Sequence, residues 1–195
     1  MRRFIVSSLA IPFALLVALG PVAADTGGNG TNFFSFSETC STSAARTVCT
    51  DTYLNVNPDE SGNSFTCLDL YTFSFTSRRG SFISDQYGCV PTSGFTVGSD
   101  YSVSLAPTDI SLQTCAAHKQ CSGATIVTVS ASDSVVGDVA TTTTRSTTVV
   151  GGCTYRTTAT DTSAELAGAV TVNGSSSDAQ GFLDIFDSTT TVHCK

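Results

Sequence analysis

Phe65-Thr66-Cys67-Leu68-Asp69-Leu70-Tyr71-Thr72-Phe73-Ser74-Phe75 decides the reading of the fold. Phe65, Cys67, Asp69, Tyr71, Phe73 and Phe75 alternate with Thr66, Leu68, Leu70, Thr72 and Ser74. A strand sends successive side chains to opposite faces, so a period of two reads as a β-strand with one buried side. Aromatic and β-branched residues suit a pleated surface, and they fill the run. The aromatic-bearing set is the expected core face.

Asp69 is the odd member of that face. A carboxylate buried among rings needs a partner or a raised pKa. It is therefore a candidate acid or binding residue, with Arg46, Arg78 and Arg79 as candidate anchors. A β-bulge, an edge position, or a sheet whose buried side is Leu68 and Leu70 would each re-aim it.

The same alternation recurs outward along the chain. Tyr101, Val103 and Leu105 form one run, Val127 and Val129 a second, and Cys153, Tyr155 and Thr157 a third. Turn-forming residues divide the runs at Pro58 to Asn63, Arg78 to Gly80, Gly98 to Asp100, Val136 to Asp138, Gly151-Gly152 and Asn173-Gly174. Only Ser163 to Ala169 reads as helix-like, and Gly168 interrupts it. The expectation is an all-β chain of about nine or ten short antiparallel strands, in a two-sheet sandwich that is Ig-like or related. Two small β-units are the alternative, because aromatic residues crowd residues 33–95 while valine and threonine dominate later, with a sub-boundary near Pro107.

Arg2 and Arg3, the apolar run Leu9 to Leu19, and Val22-Ala23-Ala24 have the layout of a secretory signal peptide over residues 1–24. The apolar run is shorter than the roughly 20 residues a membrane span requires, so no membrane insertion is expected. Residues 25–32 are Gly-rich and polar, an expected flexible arm, and residues 33–195 are the expected disulfide-stabilised β domain.

All eight cysteines (Cys40, Cys49, Cys67, Cys89, Cys115, Cys121, Cys153 and Cys194) follow the leader. An even count in an exported chain reads as four disulfides, although eight cysteines allow 105 pairings. Sequence neighbours suggest Cys40–Cys49, Cys67–Cys89, Cys115–Cys121 and Cys153–Cys194. No C-x-x-C occurs, and His118 and His193 lack metal-site spacing, so neither a metal nor a cofactor is expected.

The formal charge of −7 falls to about −9 once Arg2 and Arg3 leave with the leader. That balance lacks the basic footprint of a nucleic-acid binder.

Individual features point in several directions. Arg78-Arg79 at a hairpin tip could dock an acidic group bidentately, or be a solvated tip. Asn57 to Asn63 resembles the start of a calcium loop, but Leu68 stands where the bidentate Glu belongs, and a hairpin turn explains it better. No G-x-S-x-G elbow accompanies His118 or His193 as candidate bases. Asp184 and Asp187 lie three apart, so a strand points them to opposite faces. Threonines at 141–144, 147–148, 157–158 and 189–191 could form a flat array able to order water, or a solvated sheet face. Asn29-Gly30-Thr31 and Asn173-Gly174-Ser175 fit the N-glycosylation pattern.

The leading expectation is a secreted, non-catalytic module that binds an extracellular protein or a surface glycan. The alternatives are a small hydrolase built on Asp69 and His118, and an inhibitor that presents the Cys115–Cys121 loop.

Overall fold

The computed structural model describes residues 29–59, 62–76, 79–115 and 121–194. The leader, Arg78 and His118 lie outside the described residues.

Among the described residues ten strands follow one another: β1 (Asn29–Thr42), β2 (Thr47–Pro58), β3 (Ser64–Phe75), β4 (Gly80–Pro91), β5 (Phe95–Val97), β6 (Val103–Cys115), β7 (Ser122–Val135), β8 (Ala140–Val150), β9 (Cys153–Val172) and β10 (Ser175–Cys194). The described turn signals fall at strand junctions, with glycine supplying a left-handed backbone at Gly62, Gly137 and Gly151. Asn173 (φ 49°) and Gly174 (φ 80°) turn β9 into β10, the type of turn that matches the twist of a hairpin.

All pairings are antiparallel, along the order β10-β1-β2-β3-β4-β6-β7-β9, and β9 pairs back onto β10. The path closes into one ring whose strands are not spread evenly round one axis. The expected division into two sheets does not appear in this pairing. β8 lies outside the ring on β9, and β5 pairs with β6. Pro107 sits where the β6–β7 register shifts between Leu105 and Thr108, since a residue without an N–H belongs at a bulge.

Two expectations are corrected. Ser163 to Ala169 is strand, in the middle of β9, because its residues are paired on both sides by β10 and, from Leu166, by β7. β1 begins at Asn29, and Asn29 to Asn32 pair with Asp187 to Asp184, within the segment expected to be a free arm.

The ring interior is mainly apolar, with a minority of buried polar residues such as Ser35, Thr66 and Asp133. Phe33, Leu54, Val56, Leu68, Leu105, Ile110, Leu112, Val129, Leu166, Val170 and Leu183 are buried together. Each such side chain contributes roughly 1.5–3 kcal/mol on leaving water. Leu54 pairs with Leu68 across β2–β3, which places Thr66, Leu68, Leu70, Thr72 and Ser74 on the inward side. The expected core face of β3 is therefore reversed. The rings of Phe65, Tyr71, Phe73 and Phe75 are on the outside, and Asp69 goes with them.

β9 and β10 pair along their whole twenty-residue lengths. β7 meets only Leu166 to Val172, and β1 only Gln180 to Asp187. The far ends of β9 and β10, with β8, consequently leave the ring as a three-stranded arm. Every residue of β8 is exposed.

The four disulfides join Cys40 to Cys49, Cys67 to Cys89, Cys115 to Cys121 and Cys153 to Cys194. Three of them bridge residues directly opposite one another in adjacent strands.

Candidate functional site

The outer face of β2, β3 and β4 carries a checkerboard of acids and phenols. In one row Asp69 lies between Tyr53 and Tyr87; in the next Tyr71 lies between Asp51 and Asp85. Two hairpin turns in succession produce this arrangement, because each reverses the chain and sets one alternating strand against another. Tyr71 is 37% exposed and Tyr87 50%, so both rings present open surface.

The carboxyls are crowded. Asp69 is pushed up to about 7, chiefly by burial and then by contact with the Asp85 carboxyl. Asp51 accepts a hydrogen bond from the Tyr53 hydroxyl at 3.3 Å. That neighbour and burial, the larger cause, raise the Tyr53 hydroxyl above its ordinary value. One oxygen each of Asp51, Asp69 and Asp85 is buried without a hydrogen-bond partner. Among the described residues no arginine is ion-paired with this trio, and Arg46 and Arg79 do not anchor Asp69.

Aromatic contacts extend the face sideways. Phe36 lies 5.1 Å from Tyr53, Phe34 lies 6.2 Å from Tyr53, and Phe34 stacks on Phe182 at 5.4 Å. Beyond them Asp184 and Asp161 form a second carboxyl pair. Asp184 is raised to about 6 by burial first and then by Asp161, with the Asn32 side chain opposing. Asp184 and Asp187 do point to opposite faces; the partner of Asp184 comes from β9 instead.

The remaining predicted residues that are described do not converge. Arg79 is an exposed residue of the β3–β4 tip, its carbonyl accepting from the Thr76 amide at 2.9 Å. His193 is exposed at the arm tip beside Cys194. In the β2–β3 turn the Asp59 carboxylate accepts from the Asn63 amide at 2.8 Å and from its side chain at 3.2 Å. Those bonds account for the turn. Glu38 lies 3.3 Å from the Cys40 sulfur, but both sulfurs beside it are consumed by the Cys40–Cys49 bridge. The threonines divide between the two faces of the arm, with Thr157 bonded to Thr190 on one and, on the other, Thr141 to Thr162 and Thr143 to Thr160. Arg145, Arg156 and Asp187 interrupt that face.

A cleft of about 380 Å³ opens where β1 leaves β10 after the Phe36–Gln180 pair. Ser37, Glu38, Gly168 and Asp178 line it, and Ser177 donates to Ser37 at 2.9 Å across the gap.

Asp51, Asp85, Tyr53 and Asp161 were not singled out by the sequence. Reflecting the chain about the turns at 58–63 and 78–80 brings Asp51, Asp69 and Asp85 together, and that arithmetic was the available signal. Comparison with models of known protein families, with curated proteins and with solved structures finds no match.

Proposed function

We propose that this protein is a secreted recognition module that binds a neutral or amine-bearing polysaccharide through the outer face of β1 to β4. One observation carries the reading: tyrosines, of which Tyr71 and Tyr87 are exposed, alternate with carboxylates across three adjacent strands. Rings offer flat apolar surface on which a sugar ring can lie. Carboxylates accept hydrogen bonds from hydroxyls and amines. The unbalanced negative charge disfavours an acidic polymer by like-charge repulsion. Inward leucines and valines with outward carboxylates are the reverse of a lipid-facing barrel, which supports action in water. The four disulfides are consistent with an extracellular location. A flattened, sandwich-like body is part of this reading, supported by the Phe33 and Phe95 rings 5.7 Å apart, from β1 and β5.

The test is co-sedimentation of the oxidised protein with insoluble neutral, amine-bearing and acidic polysaccharides. Saturable binding to the first two classes, weakened at least about fivefold by Tyr71→Ala, is expected. Binding to none of them, or binding indifferent to Tyr71 and Asp69, overturns the reading.

The contact between Asp69 and Asp85 favours a second reading, acid hydrolysis, since two carboxyls that share one proton can divide the roles of acid and base. Hydrolysis abolished by Asp85→Asn while binding persists would select it.

A further inference from the structure

We propose that β8 is a self-association edge, along which two copies of this chain pair antiparallel and join their arms into one six-stranded sheet. β8 ends the strand order, and among the described residues β9 is its only partner. Antiparallel strands direct the N–H and C=O groups of alternate residues to alternate sides, so about half of its eleven residues turn their backbone groups outward. Such an edge is a template for another strand, and proteins blunt it with proline, bulges or rows of charge. β8 has none of these: its register on β9 is unbroken from Ala140 to Val150, and Arg145 is its single charged residue.

Charge selects a second copy as the occupant. The chain carries −7 overall, so two copies repel wherever carboxylates face each other. β8 contains no carboxylate; Asp161, opposite its Thr142, stands one strand back from the edge on β9, and the Asp51, Asp69 and Asp85 cluster lies on distant strands. Its threonines and its terminal Val149-Val150, 68% and 60% exposed, suit a sheet interior. A two-fold register centred on Thr144 or Ser146 sets each Arg145 opposite a neutral residue of the other copy; one centred on Arg145 sets like charges together. An edge contact of this kind covers backbone more than side chains, so the dimer is concentration-dependent.

Sedimentation equilibrium of the full oxidised chain, over roughly a hundredfold range of concentration, tests this. The mass should rise from monomer towards dimer. Thr143→Lys/Thr147→Lys, which sets two more cations beside Arg145 on one face, should shift the midpoint at least about tenfold upward. Hydrogen exchange of the unaltered chain is the second measurement: β8 amides should gain protection with concentration while β2 amides do not. A monomer throughout, a dimer indifferent to the lysines, or masses growing beyond dimer would each overturn the proposal; the last would mean head-to-tail pairing of β8 with the β10 edge.

Discussion

Gly168 of β9 faces Asp133 of β7 directly across the ladder, and the carboxylate stands where a β-carbon on residue 168 would go. The same β-carbon would press on the Ser132 carbonyl, which is backbone and cannot swing aside. Gly168→Ala should therefore destabilise by about 2–3 kcal/mol through overpacking. A denaturation midpoint equal to that of the unaltered chain would show that the two strands have room to part.

Asp133 is 1% exposed, and neither of its oxygens makes a hydrogen bond of good geometry. Burial raises its pKa above the ordinary carboxylate value, with the Ser35 hydroxyl and Ala169 amide nearby opposing weakly. The folded chain thus favours the protonated form. Asp133→Asn should stabilise by about 1–2 kcal/mol near neutral pH and give little in acid. Equal gains at both pH values would contradict an ionisation origin.

Asp69, raised to about 7, and Asp184, raised to about 6, set a wider pH dependence. A carboxyl whose folded-state pKa lies above its unfolded one contributes stability that is complete below the unfolded value near 4. That contribution disappears as pH rises through about 6 and then about 7. The thermal midpoint should fall accordingly from mild acid to slightly alkaline buffer. Asp85→Asn removes the neighbouring acid and should flatten the upper part of the curve. Asp100 is held below its ordinary value by the Ser102 hydroxyl and amide, so it acts in the opposite sense at lower pH. A midpoint that climbs from acid to neutrality would refute this account.

Replacing Cys153 and Cys194 by serine should loosen the arm and leave the ring intact. The bridge closes the open end of the β9–β10 hairpin, where all of β8 and the last four residues of β10 are exposed. Amides of residues 153–160 and 188–194 should exchange faster, with those of β6 and β7 unchanged. Uniform acceleration across both regions would mean that arm and ring unfold together.

The alternation, the turns and all four cysteine pairings were legible because each is a local signal. Hairpins bring sequence neighbours together, so neighbouring cysteines pair. The orientation of β3 was not legible, because both sides of the strand are rich in apolar residues. Leu68 and Leu70 fill the ring, where smaller branched side chains pack across β2, while bulkier Phe and Tyr rings cover the outside. Asp69 was the residue that told the sides apart. Ring closure was hidden too, since β10 meets β1 across most of the chain length. Ser163 to Ala169 misled because its small residues suit a helix locally, whereas β7 and β10 impose strand geometry from both flanks.

The bridge at the last β9–β10 pair also decides how the molecule bears load. A pull applied at the C-terminus would otherwise unzip β10 from β9 one pair at a time, the weakest direction for a hairpin. With Cys194 bonded to Cys153, the tension passes into the β8–β9 turn and reaches the hydrogen-bond ladder only after crossing a covalent link. A protein tethered by that end would resist peeling until the bridge was reduced.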